Sequence, residues 1–356
     1  MFGVTSRMLN KPPYYVPCME EVLSVKPIGR SVISTFSGGG GSSLGYRMAG
    51  YKVLLASEFV ESAAKTYQAN FPDTMVDTRD IRKVHGQELL DQVGLEKGEL
   101  DILDGSPPCS SFSSAGSREK GWGKVKEYSD VAQRTDDLFF EYARLIDEIK
   151  PKVFVAENVS GLVKGKAKGY FLEILARLKS CGYRVKGKVL DAKWLGVPQS
   201  RQRTIFVGIR EDLNMEPVHP DPLPYCYTLR EAIDGCTEPI EIETDINRFA
   251  IGREWRILRK PGTQSLKYFQ LVRPLWNKPC PTITAESSNP GAASVCHPTQ
   301  ERKFSVGELK RICSFPPDYH LEGFYSQQVE RMGRAVPPLM MKRIAERIAE
   351  EFKNDS

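Results

Sequence analysis

Short apolar runs alternate with amphipathic segments along most of this chain, and the alternation begins at residue 31. Apolar runs bounded by turn residues predict strands, and apolar positions spaced three and four residues apart predict helices. Strands that alternate with helices predict an α/β fold with a mostly parallel, doubly wound sheet covered by helices on both faces. The strands are predicted over 31–36, 52–56, 101–103, 153–156, 183–190 and 204–209. The helices are predicted over 60–70, 138–149, 170–180, 305–312 and 338–352.

The same pattern divides the chain into four parts. Residues 1–30 are irregular and predict an N-terminal arm, and residues 31–210 carry the α/β pattern. Residues 211–278 are rich in proline, glycine and short irregular runs, which predicts a separate small module. The α/β character returns over 279–356 and ends in a helix.

Composition narrows the class of protein. Of the 356 residues, 40% are hydrophobic and 27% are charged, which is an ordinary globular balance. The eight cysteines are scattered without a C-x-x-C pair, so we expect neither a metal site nor a disulfide framework. Neither a membrane-spanning run nor a signal peptide is evident, and the scattered cysteines suit a reducing cytoplasm, where we expect this protein. We also expect it to be a monomer. The net charge of +5 is weak support for a polyanionic partner.

A cysteine follows two prolines directly after the predicted strand at 101–103. Pro107 and Pro108 precede Cys109, so the thiol is expected on a stiff loop at the carboxyl end of a strand. Ligands of open α/β sheets bind at that edge. Cys109 is therefore a candidate nucleophile, the alternative being a small buried apolar residue.

A glycine-rich turn follows the first predicted strand and leads into a helix. Such a turn lets a ligand approach the backbone and meet the helix N-terminus. The segment 36–45 lacks both the G-x-G-x-x-G spacing and a phosphate-loop lysine, which favours a nucleoside-containing cofactor without a triphosphate. Glu58 follows the second strand, where it either accepts hydrogen bonds from ribose hydroxyls or starts a helix. Asp80 either holds an adenine amino group or caps a helix.

An acid and two arginines mark two further strand ends. Glu157 comes directly after the apolar run 153–156, so it is predicted at the same sheet edge as Cys109. Arg201 and Arg203 are two residues apart in a strand-like segment, so they are predicted to face the same side as a pair of anion or base contacts. The alternatives are a structural carboxylate network and an exposed basic pair.

Basic and aromatic residues are interleaved within the small module, over 248–262. This pattern is typical of contact with a phosphate backbone, although a solvated amphipathic segment has the same pattern. The candidate contacts are Arg248, Arg253, Arg256, Arg259 and Lys260.

Taken together, these segments resemble the cytosine-5 DNA methyltransferase family over about residues 31–210 and 279–352. The glycine loop 36–45 resembles the family's S-adenosylmethionine loop, Pro108-Cys109 its Pro-Cys, residues 157–159 its Glu-Asn-Val, and residues 199–203 its Gln-x-Arg-x-Arg. Residues 281–284, 308–316 and 333–337 resemble the late motifs. The small module falls where the family has its target-recognition domain.

The resemblance implies a Rossmann-like fold, S-adenosylmethionine as cofactor, duplex DNA as partner and no metal. It implies attack of Cys109 on C6 of a flipped-out cytosine, with Glu157 at N3 and Arg203, with Arg201, orienting the ring. Residues implied at the cofactor are Phe36, Gly38, Gly40, Gly41, Glu58, Phe59, Asp80, Ile81, Arg334, Ala335 and Val336. Residues implied at the DNA are Ser111 and the five basic residues of the small module.

Three departures from the family pattern carry alternatives. Ser110 stands where the family usually has Gln, and Pro-Pro-Cys also occurs in its transfer-RNA-modifying branch, although the Cys-Phe-Thr of that branch is absent. Arg334 stands where the family has Asn. A cation there repels a sulfonium unless it turns away or pairs with an acid, but it would bind a carboxylated S-adenosylmethionine. Besides methyl transfer to DNA, the alternatives are carboxymethyl transfer, transfer-RNA methylation and an inactive DNA-binding relative.

Overall fold

The computed structural model describes residues 11–108, 126–128, 131–133, 137–163, 167–289 and 291–354. Its centre is a seven-stranded sheet in the order β3-β2-β1-β4-β7-β10-β8. The strands are β1 Ser31–Thr35, β2 Lys52–Ser57, β3 Met75–Asp77, β4 Ile102–Gly105, β5 Lys126–Tyr128, β6 Val131–Gln133, β7 Val153–Val159, β8 Tyr183–Asp191, β9 Gln199–Ser200, β10 Gln202–Arg210, β11 Thr263–Gln264, β12 Val272–Arg273 and β13 Cys280–Pro281. All six predicted strands are present, so the α/β prediction is confirmed.

Helices cover both faces of this sheet. They are α1 Met19–Leu23, α2 Gly41–Met48, α3 Glu61–Asn70, α4 Gly86–Val93, α5 Leu138–Ile149, α6 Ala167–Ser180, α7 Leu229–Ile233, α8 Ala250–Ile257, α9 Val306–Ile312, α10 Tyr325–Arg334 and α11 Pro338–Asn354. Alternate residues of a strand point to opposite faces, and β1 follows this rule. Ile33 packs in a core with α4, α5 and α6, whereas Val32 packs in a second core with α2 and α11.

Strand direction places the candidate residues at one edge of the sheet. β1, β2, β3, β4 and β7 run parallel, so their carboxyl ends lie together. The connections reverse between β1 and β4, which is the position where ligands bind in open α/β sheets. β10 runs antiparallel to both of its neighbours, β7 and β8. The prediction of a mostly parallel sheet allows an antiparallel strand but did not say which strand it would be.

The small module and the returning chain share their cores. In the part of the chain that the structure describes, Trp255 and Leu271 pack in a cluster that also contains Cys296. Leu229 of α7 packs with Phe304 and the residues of α9 and α10. Cys296 and Phe304 lie beyond residue 278, so the predicted end of the small module does not coincide with a break in packing.

The described part of the N-terminal arm is docked against this region. Residues 11–18 have no regular secondary structure and α1 follows them. The Tyr14 hydroxyl donates to the backbone carbonyl of Arg311 at 2.6 Å, and Lys11 pairs with Glu231 at 2.5 Å. The arm thus joins the start of the chain to helices α7 and α9.

A carboxyl group is buried inside the sheet one residue before the end of β4. Asp104 is 2% exposed and accepts hydrogen bonds from the Ser34 hydroxyl at 3.0 Å and the Tyr46 hydroxyl at 3.3 Å. Both donors are neutral, so they offset little of the cost of burying a charge. Burial, helped by the nearby Glu157 and opposed by the hydrogen bonds, raises the pKa of Asp104 to about 7.

This carboxyl makes stability depend on pH. In the unfolded chain Asp104 ionises near pH 4, but in the folded protein it ionises near pH 7, so stability falls as pH rises between these values. Asp104→Asn removes the penalty. The compared quantity is the free energy of unfolding of Asp104→Asn minus that of wild type. We expect this difference to be about 1–3 kcal/mol larger at pH 8 than at pH 5.

Urea denaturation of both proteins at the two pH values measures this difference. Asp221→Asn changes an exposed aspartate and serves as the matched control, for which we expect no pH-dependent difference. If the free energies of unfolding of wild type and Asp104→Asn differ by the same amount at pH 5 and pH 8, Asp104 does not titrate in this range.

Candidate active site

The loop that contains Cys109 starts beside Glu157. Gly105, at the end of β4, is paired with Ala156 of β7, and Glu157 is the next residue. The Asn158 side-chain amide donates to the Pro107 carbonyl at 3.2 Å, so the two motifs are also joined by a hydrogen bond. Cys109 and Ser111 lie outside the described residues. Pro108 is the last described residue before this gap, and Pro107 is hydrogen-bonded to the residue that follows Glu157.

Glu157 and Arg203 form an ion pair at this edge. Arg203 Nε lies 2.7 Å from Glu157 Oε1, and Glu157 is 8% exposed. Val159 of β7 is paired with Arg203 of β10, which fixes the register that brings the two side chains together. Burial lowers the pKa of Arg203, and Glu157 opposes that shift. A carboxylate held by a guanidinium at a sheet edge can present its second oxygen to a ligand.

Arg201 does not act as a pair with Arg203, so the prediction that both point to one substrate is wrong. Its guanidinium donates to the carbonyls of Ile283 at 3.0 Å, Gly333 at 2.9 Å and Ala335 at 3.0 Å. It is 1% exposed. The chain changes partner at this residue, because β9 pairs with β13 and β10 pairs with β8, and regular strand alternation does not cross that break.

The glycine loop adopts a backbone that depends on glycine. Gly38 and Gly40 have φ of 56° and 87°, in the left-handed region that other residues rarely adopt. A Cβ on Gly40 would lie 2.6 Å from the Tyr319 hydroxyl, whereas a Cβ on Gly38 would meet nothing within 4 Å. The loop is therefore packed on one side and leaves open space at Gly38. Phe36, at φ 51°, packs against the core of α4 to α6.

Glu58 holds the glycine loop at the end of β2. Its Oε2 accepts from the Gly38 backbone at 2.7 Å, and its Oε1 accepts from the Val60 backbone at 2.7 Å. Burial raises the pKa of Glu58, and these backbone hydrogen bonds and Arg331 oppose the rise. Each carboxylate oxygen accepts more than one hydrogen bond, so the arrangement leaves Glu58 able to bind hydroxyl groups.

The other residues predicted at the adenine end differ in their exposure to solvent. The Asp80 side chain accepts from the Arg82 backbone at 3.1 Å and caps a 3-10 helix, as the alternative proposed. Ile81 begins that helix and is buried, whereas Phe59 is 39% exposed. An exposed aromatic ring beside a glycine loop is suited to stack on a flat ligand.

The returning chain closes over the start of α2. A Cβ on Gly41 would lie 2.5 Å from the Val336 carbonyl and 3.0 Å from the Ala335 side chain. Gly45 likewise faces Pro338 and Met341 of α11. Two of the three residues predicted at the cofactor from the end of the chain, Ala335 and Val336, therefore lie against the glycine loop.

Arg334 pairs with an acid. Its Nε donates to Glu330 Oε1 at 2.8 Å, one helical turn earlier in α10, and its side chain is 31% exposed. Arg331 lies 3.3 Å from the other oxygen of Glu330, and it is 5% exposed. One carboxylate thus sits between two guanidinium groups beside the glycine loop. The pairing is the arrangement in which Arg334 and a sulfonium are compatible.

The basic residues predicted at the DNA differ in their contacts. Arg248, Arg253, Arg259 and Lys260 are exposed. Arg256 is also exposed but pairs with Glu301 at 2.6 Å and donates to Asn247 at 2.6 Å. Four of the five side chains are therefore accessible to a phosphate backbone, and the fifth is engaged in an ion pair.

Three residues of this region were not predicted as site residues. Asn158 donates a hydrogen bond to Pro107 at the start of the cysteine loop, Arg331 lies near Glu58, and Asp104 is buried. A polar residue within an apolar strand was the one available sign for Asp104.

Over the described residues there is no group of three or more His, Cys, Asp or Glu side chains that could hold a metal. Nor does any helix in those ranges have the length and apolarity to cross a membrane.

Comparison with known proteins identifies the family. The family described as C-5 cytosine-specific DNA methylase matches residues 30–350. The chain is 32% identical over 338 residues to the type II methyltransferase M1.HphI of Haemophilus parahaemolyticus, covering 91% of this chain and 87% of that protein. It is 30% identical to the type II methyltransferase M.Sau96I of Staphylococcus aureus, covering 92% and 78%.

Solved structures have the same fold. A DNA modification methyltransferase encoded within an Escherichia coli prophage superposes with a TM-score of 0.71 at 20% identity, over 91% of this chain and all of that one. A DNMT2 mutant from Spodoptera frugiperda superposes with a TM-score of 0.66 at 18% identity, over 91% and 100%. The chain therefore belongs to the C-5 cytosine-specific DNA methylase family and is a DNA (cytosine-5)-methyltransferase.

Proposed function

We propose that this enzyme transfers a methyl group from S-adenosylmethionine to C5 of a cytosine flipped out of duplex DNA, with Cys109 as nucleophile. The observation that carries the proposal is the joined edge of β4 and β7. There the Asn158–Pro107 hydrogen bond holds the start of the cysteine loop beside the Glu157–Arg203 ion pair. A thiol and a carboxyl on one edge can act on the same pyrimidine ring.

The residues around the glycine loop fit S-adenosylmethionine. The open space at Gly38 and the carboxylate of Glu58 suit the ribose, and Phe59 suits the adenine face. Asp80 and Ile81 would bound the adenine, and Gly40, Gly41, Ala335 and Val336 would shape the pocket at the methionine end. When bound, this cofactor supplies a methyl group that is electrophilic because it is attached to a sulfonium.

The mechanism starts from the poor nucleophilicity of cytosine C5. The Cys109 thiolate would form a bond to C6, and the ring electrons would then make C5 an enamine carbon. C5 would take the methyl group as the methyl–sulfur bond breaks, which would leave the cofactor as its neutral thioether. Glu157 would bind the N3 edge and promote its protonation, while Arg203 holds Glu157 in place and limits charge on the ring. Loss of the C5 proton and expulsion of the Cys109 thiolate restore the aromatic ring. The target must leave the helix because C6 is inaccessible in stacked DNA.

Exposed cations of the small module support duplex DNA as the substrate. Arg248, Arg253, Arg259 and Lys260 would contact phosphates, and Ser111 would contact the DNA from the cysteine loop. Relatives named as type II methyltransferases support a role in bacterial restriction and modification, in the cytoplasm where the DNA is. We propose that Arg256 positions Glu301 rather than DNA, because the two are paired.

The Arg334–Glu330 pair supports methyl rather than carboxymethyl as the transferred group. Glu330 offsets the positive charge of Arg334, so the repulsion of roughly 3 kcal/mol expected between an unpaired arginine and a sulfonium about 6 Å away is reduced. The same pair engages the Nε of Arg334, which a cofactor carboxylate would otherwise bind. We therefore propose S-adenosylmethionine as the natural cofactor.

Replacement of Cys109 tests the nucleophile. A duplex that contains 5-fluorocytosine at the modified position should form a covalent complex with wild type, because fluorine cannot leave as the C5 proton does. We expect Cys109→Ser to form no complex and to lose transfer to DNA by at least about 10³-fold, and denaturing gel electrophoresis measures the complex. A complex that survives in Cys109→Ser contradicts the assignment. Preferred transfer to transfer RNA would instead favour the RNA alternative, and no transfer at all an inactive relative.

Replacement of Glu157 tests its role at N3. Glu157→Gln keeps the shape but removes the proton-transfer group, so we expect kcat to fall about 10²- to 10⁴-fold with little change in DNA affinity. Single-turnover kinetics and fluorescence anisotropy measure the two quantities. Glu173→Gln changes an exposed glutamate of α6 and serves as control. Loss of DNA affinity in proportion to kcat would indicate that Glu157 acts in binding alone.

The transferred group is measured by offering both cofactors in competition. We expect intact-mass analysis of the DNA to find methylcytosine from wild type, and the same product from Arg334→Asn. A carboxymethyl product that wild type makes and Arg334→Asn does not would establish the alternative cofactor and overturn methyl transfer as the natural reaction.

A further inference from the structure

A short hairpin in the small module holds two large apolar side chains in solvent. β11 and β12 are paired antiparallel, and residues 265–271 form the apex between them. Leu266 is 105% exposed and Phe269 is 81% exposed. Lys267 lies between them and is also exposed. We use the term apex for residues 265–271.

The apex is fixed by its own hydrogen bonds. The Ser265 hydroxyl donates to Glu254 Oε1 at 2.6 Å and accepts from the Lys267 backbone at 3.1 Å and the Tyr268 backbone at 2.9 Å. Leu271 is fully buried, and its carbonyl accepts from the Ser265 backbone at 2.9 Å. The two apolar side chains therefore project from an anchored turn, and a rigid display of this kind reduces the entropy lost on binding.

Charge identifies the class of partner. Residues 255–285 contain six basic residues and no acidic residue. Of these, Arg259, Lys260 and Lys267 are exposed in or next to the hairpin. A second exposed apolar pair, Ile240 and Ile242, lies instead among acidic residues of the segment 238–245. Glu254, just before this range, is engaged by the Ser265 hydroxyl. Apolar side chains next to exposed cations are suited to a polyanion that also offers an apolar interior, and duplex DNA has both.

We propose that the apex is a DNA wedge, in which Leu266 and Phe269 enter the base stack of the bound duplex and Lys267 contacts a phosphate. The proposal rests on the proposed function, since it takes duplex DNA as the substrate. Apolar side chains placed between base steps stabilise unstacked DNA, and an aromatic ring replaces part of the lost stacking. The wedge would thus stabilise the distorted duplex from which a base has been extruded.

Salt-dependent DNA binding tests the two parts of the wedge. The probe is a 30-base-pair duplex that carries the sequence wild type is found to modify, and binding is measured from low to high salt. We expect Phe269→Ala and Leu266→Ala to weaken binding roughly tenfold at every salt concentration without changing the slope against log salt, because the lost contacts are apolar. We expect Lys267→Ala to reduce the slope by about one.

Two exposed apolar residues outside the hairpin serve as matched controls. Phe324 is 79% exposed and Ile242 is 81% exposed. We expect Phe324→Ala and Ile242→Ala to bind the duplex within about twofold of wild type. The proposal is overturned if Phe269→Ala and Leu266→Ala both bind the duplex within twofold of wild type. It is also overturned if Phe269→Ala changes the oligomeric state and leaves DNA binding unchanged, because the apex would then bind a second copy of the chain.

Insertion itself is measured with 2-aminopurine, whose fluorescence rises when it is unstacked. The probe is placed in turn at each position of the modified sequence. At one position, we expect wild type to raise the emission several-fold and Phe269→Ala to leave it unchanged. Tight binding by wild type with the same emission profile as Phe269→Ala would overturn insertion. A wild type that modifies no DNA would instead contradict the proposed function, so the two failures are distinguishable.

Discussion

The structure of the active site depends on one buried guanidinium. Arg201 lies where the chain passes from β9 to β10, and it binds the carbonyls of Ile283, Gly333 and Ala335. Burial lowers its pKa to about 9, so it remains charged at neutral pH. An ion buried in this way is tolerated because backbone dipoles replace water, and its removal would leave those carbonyls unsatisfied.

This interaction joins parts of the chain that the small module separates. β13, just before Ile283, pairs with β9, and Gly333 packs so closely that a Cβ would lie 2.6 Å from the Thr284 backbone. Val336 then lies against Gly41 at the start of α2. The glycine loop is therefore packed against the other end of the sequence as well as held by Glu58, and Arg203, two residues after Arg201, is paired with Glu157.

The sequence predicted the layers of the fold better than the directions of its side chains. Runs such as 153–156 are apolar because both faces of the sheet are covered, so a strand was the natural prediction. The antiparallel direction of β10 has no local signal, since it depends on which neighbours the strand joins. The alternation rule failed at Arg201 because the ladder breaks there, and helix α10 was not predicted.

The residues of the candidate site could likewise be predicted from the sequence, but most of their contacts could not. Glu157 and Glu58 were predicted because an acid at the end of an apolar strand is conspicuous, and both are found with partners at the sheet edge. The partnership of Arg334 with Glu330 could have been considered from their spacing of four residues, which places them on one face of a helix. The hydrogen bond from Asn158 to Pro107 could not have been predicted from the sequence, because it depends on the register between β4 and β7.

The closure of the returning chain over Gly41 has a consequence for synthesis of the enzyme. The glycine loop, the cysteine loop and Glu157 all leave the ribosome before Ala335 and Val336 are made. A nascent chain therefore contains the groups proposed to act on cytosine but lacks the residues against which its glycine loop packs. If the proposed function holds, the enzyme becomes active only after α10 and α11 have been synthesised.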